Sequence, residues 1–138
     1  MPGPAQRPTI FFVNLLDPRR IAPRIAVDGL CGVVANGNEL RHAAMRDLSA
    51  IGVQLERVFD PAHASRVVQL ELELPGVDEV VWARGEVTRA FLTPLPGRTP
   101  DGQPRFWCRA GLRLAGVAQR ERRLLRDYVL DMRRARTA

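Results

Sequence analysis

Val67-Val68-Gln69-Leu70-Glu71-Leu72-Glu73-Leu74 alternates strictly, with Val68, Leu70, Leu72 and Leu74 on one face and Gln69, Glu71 and Glu73 on the other. A period of two with one apolar face describes a half-buried antiparallel strand. The turn Pro75-Gly76-Val77-Asp78 follows. Val80 to Phe91 then alternates again, with Val81, Ala83, Gly85 and Val87 inward and Arg84, Glu86 and Thr88 outward, so the two runs make a hairpin. A third run, Phe106 to Leu114, sets Ala110, Leu112 and Leu114 against Arg109, Gly111 and Arg113. Weaker strands precede these at Ile25 to Val34, Leu40 to Leu48 and Gly52 to Glu56, the last with Val53 and Leu55 inward.

The chain ends on a helix over about 118–135, in which Leu124, Leu125, Tyr128, Val129 and Met132 form one apolar stripe. Arg120, Arg123, Arg126, Arg133 and Arg134 lie opposite, as the solvated side of an amphipathic helix. The reading is an all-β domain with one helix: a six-stranded antiparallel β-barrel capped by a C-terminal α-helix. Residues 93–104 hold four prolines and two glycines and are expected to form an exposed loop that cannot extend a ladder. Residues 1–18 read as an N-terminal arm and 19–138 as the domain.

With 138 residues, 46% of them hydrophobic and 26% charged, the chain has room for one core and has the composition of a globular protein. Its charge is less ordinary. Twenty-one basic residues stand against 15 acids, for a net +6, and every one of the 21 is arginine. The surplus sits at the two ends, while residues 25–116 are nearly neutral. The apolar run Ile10 to Leu16 is too short to span a bilayer and has no cleavage site after it, so a cytoplasmic protein without membrane insertion is expected. That run is read either as an arm that packs on the barrel or on a second copy, which leaves a homodimer open, or equally as a loosely docked tail. Cys31 and Cys108 are expected to stay reduced.

No enzyme signature is present. His42 and His63 lack metal-ligand spacing with each other or with the cysteines, neither serine lies in a nucleophile elbow, and no glycine-rich phosphate loop occurs. The expectation is a protein with no catalytic residues, no metal and no cofactor. An oligonucleotide-binding barrel would need an aromatic stacking face, and eight aromatics in a near-neutral barrel make nucleic acid the weaker alternative. One spacing is informative. Asp47-Leu48-Ser49-Ala50-Ile51-Gly52 has the form Asp-x-Ser-x-x-Gly, for which this composition gives a chance expectation of about 0.01. It falls at a turn between two strands, where Asp47 and Ser49 project together and Gly52 permits a positive φ or a close backbone approach.

Taken with Arg20-Ile21-Ala22-Pro23-Arg24 ahead of the first strand, that turn resembles the PilZ domain family. The likeness extends to Gly85-Glu86-Val87 and to Arg109-Ala-Gly-Leu-Arg-Leu114, and covers about Arg19 to Arg134. The resemblance implies a receptor for the bacterial second messenger cyclic di-GMP, with Arg19, Arg20, Arg24, Asp47, Ser49 and Gly52 as its binding residues. Arginine pairs bidentately with guanine O6 and N7, stacks on bases and meets phosphate. Asp47 would accept from guanine N1–H and N2–H, and Ser49 would bond base or phosphate. Arg19 would stack on a second, intercalated ligand. The expected mechanism has an arginine-bearing arm, mobile without ligand, closing on it and changing a surface that a protein partner reads. A ligand-independent scaffold for motility or secretion machinery is the alternative within the same fold.

Overall fold

The computed structural model describes residues 22–35, 37 and 40–137. Six strands follow in chain order: β1 (Arg24–Ala35), β2 (Arg41–Ser49), β3 (Gly52–Val58), β4 (Val67–Glu73), β5 (Val80–Arg98) and β6 (Pro104–Val117). One helix, α1 (Gln119–Thr137), ends the described chain. All strand pairs are antiparallel, and the order β1-β2-β3-β6-β5-β4 closes into a barrel through the pairing of β1 with β4, from Leu30 opposite Glu73 to Ala35 opposite Val68. The strands read from the alternation are all present. Val68, Leu70, Leu72 and Leu74 point inward and meet Cys31, Val33, Met45, Leu48, Leu55 and Val81 in one apolar core. Each fully buried side chain of this size contributes about 1.5–3 kcal/mol.

The turn after β4 works as its residues dictate. The Val77 amide donates to the Leu74 carbonyl at 3.0 Å, with Pro75 at the second position and Gly76 at φ +83° at the third. That is the proline-then-glycine arrangement of a type II turn. Because β3 borders β2 and β6 while β4 borders β1 and β5, residues 59–66 must cross one open end of the barrel. They do so with a short 3-10 turn, Pro61–His63, capped by the Asp60 carboxylate on the Ala62 amide. His63 is buried there, with Arg57 donating to its carbonyl at 3.1 Å. At the other end α1 inserts Leu125 and Val129 into the core, and the Tyr128 hydroxyl donates to the Pro75 carbonyl.

One expectation needs correction. The 93–104 segment is exposed, but most of it is ladder: β5 runs to Arg98 and β6 starts at Pro104, leaving only residues 99–103 as the tip. Pro94 is tolerated because of the side it faces. The Phe106 carbonyl accepts from the Phe59 amide, so Phe106 faces β3, and Pro94 opposite it occupies a non-hydrogen-bonded position on β6's other flank. Its missing N–H therefore lies on the open edge of β5, where proline costs no ladder bond. The arginine stripe of α1 is exposed as expected, and two of its members, with Arg136 beyond it, also reach the barrel. Arg136 donates to the Ala26 carbonyl at 2.6 Å, Arg133 to the Arg24 carbonyl at 3.5 Å, and Arg120 to Glu79 at 2.9 Å. The end of α1 thus ties down β1 beside the bulge between Ala26 and Gly29.

Candidate functional site

The rare turn joins β2 to β3, and Ser49 builds it. Its hydroxyl oxygen accepts from the Ile51 amide at 3.2 Å and the Gly52 amide at 3.0 Å, and the hydroxyl lies 3.4 Å from the Gly52 carbonyl. The side chain is only 3% exposed, so its hydrogen bonds go to the turn. Gly52 does not adopt a positive φ. Its role is close approach: a Cβ there would sit 3.1 Å from the Leu112 carbonyl of β6. The turn is tied to β6 again by the Leu114 amide donating to the Ile51 carbonyl at 2.8 Å.

On this platform Asp47 faces outward. Strand register sets one row across the outer surface, Ala26, Asp47, Gln54, Gly111 and Arg89, on β1, β2, β3, β6 and β5 in turn. Arg24, opposite Ser49, brings its Nε to 3.7 Å from an Asp47 carboxylate oxygen. Both side chains remain partly exposed, so the pair contributes little to folding and its atoms stay open to a ligand. Gln54 and Gly111 of that row floor an open cleft of about 460 Å³, with Arg24 and Asp47 on one wall and Thr88, Arg89 and Arg113 on the other.

Two of those residues escaped the sequence reading. Strict alternation from Val81 turns Arg89 inward. A bulge between Val87 and Arg89 shifts the register instead, and Arg89 lies flat over Gly111, its Nε 3.2 Å from where a Cβ would stand. Arg113 was read as an outward rung, and it is one, paired with Glu86 at the cleft wall. Gly111 opposite an arginine was the available signal, since a residue without a side chain leaves room for a long neighbour. Arg19, Arg20 and the apolar run 10–16 lie outside the described residues. Ala22, which follows them, lines the cleft.

Chemically, the cleft offers one carboxylate acceptor, one primary amide and three guanidinium groups on a shallow surface. That set suits a ligand carrying both negative charge and an N–H donor edge. Among the described residues no three His, Cys, Asp or Glu side chains gather as a metal would require, and no helix is long and apolar enough to cross a membrane. Both cysteines are free, and burial pushes the Cys31 thiol up to about 12.

The family model described as PilZ domain matches residues 18–131. No curated protein matches the chain. Three solved structures share its fold. The PilZ domain with c-di-GMP of YcgR from Escherichia coli is 16% identical, with a TM-score of 0.61 over 85% of this chain and 93% of that one. The Bacillus subtilis inhibitor of motility MotI/DgrA is 17% identical, with a TM-score of 0.60 over 83% of this chain and 51% of that one. MrkH, described as a c-di-GMP-dependent transcription regulatory factor, is 13% identical, with a TM-score of 0.63 over 80% and 49%. The chain thus spans about half the length of the last two.

Proposed function

The chain belongs to the PilZ domain family, and from that premise we propose that it is a receptor for cyclic di-GMP that passes the signal to a protein partner. The observation that carries this reading is the pairing of Arg24 with Asp47, 3.7 Å apart, on the wall of an open cleft beside the Asp-x-Ser-x-x-Gly turn. Asp47 accepts from the N1–H and N2–H edge of a guanine, a donor edge that adenine lacks. Arg24, with Arg19 and Arg20 just before it in sequence, supplies guanidinium groups for phosphate and for guanine O6 and N7. Ser49 and Gly52 hold the turn in shape; Ser49 acts through the backbone, not through the ligand. Arg89 and Arg113 complete the positive wall on the far side. The likeness to a YcgR domain solved with c-di-GMP supports the same ligand here.

Calorimetry with cyclic di-GMP tests the reading. Binding at micromolar ligand is expected, with Arg24→Ala and Asp47→Ala each costing about 1.4 kcal/mol or more, tenfold in affinity. Absence of binding, or binding indifferent to both substitutions, overturns it. The ligand-independent scaffold then takes its place.

A further inference from the structure

The barrel wall opposite the cleft has its own composition. In the ring of strands, the β1–β4 pair lies across the barrel from the β3–β6 pair. Register sets two adjacent rows on its outer surface: Leu30, Glu73 and Val80 in one, and Gly32, Glu71 and Trp82 in the next. Leu40 folds over Gly32: a Cβ on Gly32 would stand 2.8 Å from a Leu40 methyl carbon and 3.3 Å from the Glu71 Cβ. Trp82 is 55% exposed, Leu30 50%, Leu40 42% and Val80 36%. Four large apolar side chains therefore share one exposed face of the barrel, of the kind that marks an interaction site on soluble proteins.

The charge within it is acidic. Glu71 and Glu73 sit between the apolar groups, and His42 lies 3.7 Å from Glu73. Arg84, the outward cation two positions beyond Trp82, turns away and leans over Gly116 of β6, while Arg120 at the rim is held by Glu79. On a chain of net +6 this leaves a local apolar and negative surface, which repels an anionic membrane and calls for a cationic occupant. An exposed tryptophan at the centre suits an anchoring role.

We propose that this face, centred on Trp82 and Glu71, is a docking surface for a partner protein segment that presents arginine or lysine beside aliphatic side chains. The surface stands independently of the cyclic di-GMP reading, and its test is run without that ligand, so either can fail alone.

The test uses the isotope-labelled full chain and two synthetic amphipathic helical peptides, identical except that one carries arginine where the other carries glutamate. The arginine peptide is expected to bind and to shift the Trp82 indole N–H and the amides of Leu30, Glu71 and Glu73. Trp82→Ala is expected to weaken it about tenfold, and Glu71→Gln with Glu73→Gln severalfold. All three residues project outward, and a thermal melt verifies that each variant folds. Equal binding of the glutamate peptide, shifts confined to the Asp47 cleft, or unchanged affinity in Trp82→Ala overturns the proposal. Two further results overturn it in favour of another occupant: self-association abolished by Trp82→Ala, for a second copy, and preferential binding to phosphatidylglycerol vesicles, for a membrane.

Discussion

The β3–β6 wall and the β1–β4 wall come from the same barrel and the same two-residue period, yet their outer faces differ. Around β3–β6 the outward positions are Gln54, Glu56, Arg109, Gly111 and Arg113, with Asp47 and Arg89 on the neighbouring strands. Around β1–β4 they are Leu30, Gly32, Glu71 and Glu73, with Val80 and Trp82 beside them. The inward residues of both walls are mostly aliphatic and fill one core that folds the chain. The outward residues are free of that duty, so the two walls can differ in chemistry: polar and charged around a cleft on one, apolar and acidic on the other.

The largest expected contrast lies between two neighbouring strands. Leu72→Ala removes a fully buried side chain between Glu71 and Glu73 and should cost about 2–5 kcal/mol in urea denaturation. Trp82→Ala, outward on the adjacent strand, should change stability by no more than about 0.5 kcal/mol. A large loss in the second variant would mean that the β1–β4 wall is structural and would break the comparison.

The cleft side divides next. Ser49→Ala leaves the Ile51 and Gly52 amides without their acceptor and should cost about 1 kcal/mol of stability. Its effect on cyclic di-GMP affinity should be smaller than that of Asp47→Ala. The reverse ranking in calorimetry would place the Ser49 hydroxyl on the ligand. Arg89→Ala should weaken the ligand by about 0.5–1 kcal/mol, two- to fivefold, and make its affinity less sensitive to salt. Arg113→Ala should do less, because Glu86 already engages that guanidinium.

An effect that vanishes at neutral pH and emerges only in alkali concerns the interior between the two walls. Burial raises the Cys31 thiol from an ordinary value near 9 to about 12, so the folded state disfavours the thiolate. The stability this contributes is fully present below pH 9 and is lost as pH climbs from about 9 towards 12. Chemical denaturation over that range should show the decline. Cys31→Ala should flatten it, and iodoacetamide should label Cys108 well before Cys31.

Much of the fold was legible because an antiparallel barrel writes its inside and outside into alternate residues. The run from Val67 to Leu74 could be assigned face by face from the residues alone, and Val68, Leu70, Leu72 and Leu74 on its inward face are all buried. The extension of β5 to Arg98 was not legible, because the meaning of a proline depends on which edge its missing N–H faces. That is fixed by Phe106 pairing with Phe59, far away in sequence. The site divides in the same way. Asp-x-Ser-x-x-Gly was visible as a local motif, but Arg89 was hidden by a bulge that reverses the alternation within two residues.

By itself the sequence determined which residues face the core, where the chain turns, and that Asp47, Ser49 and Gly52 share one tight connection. These are local matters of period, turn chemistry and spacing. Only the tertiary structure decided that the Ser49 hydroxyl bonds the turn while Asp47 faces the cleft, that Arg24 reaches Asp47, and that Leu30, Leu40, Val80 and Trp82 share one exposed face. Each of those facts depends on register between strands distant in the chain. Register is set by barrel closure, which no single stretch of sequence contains.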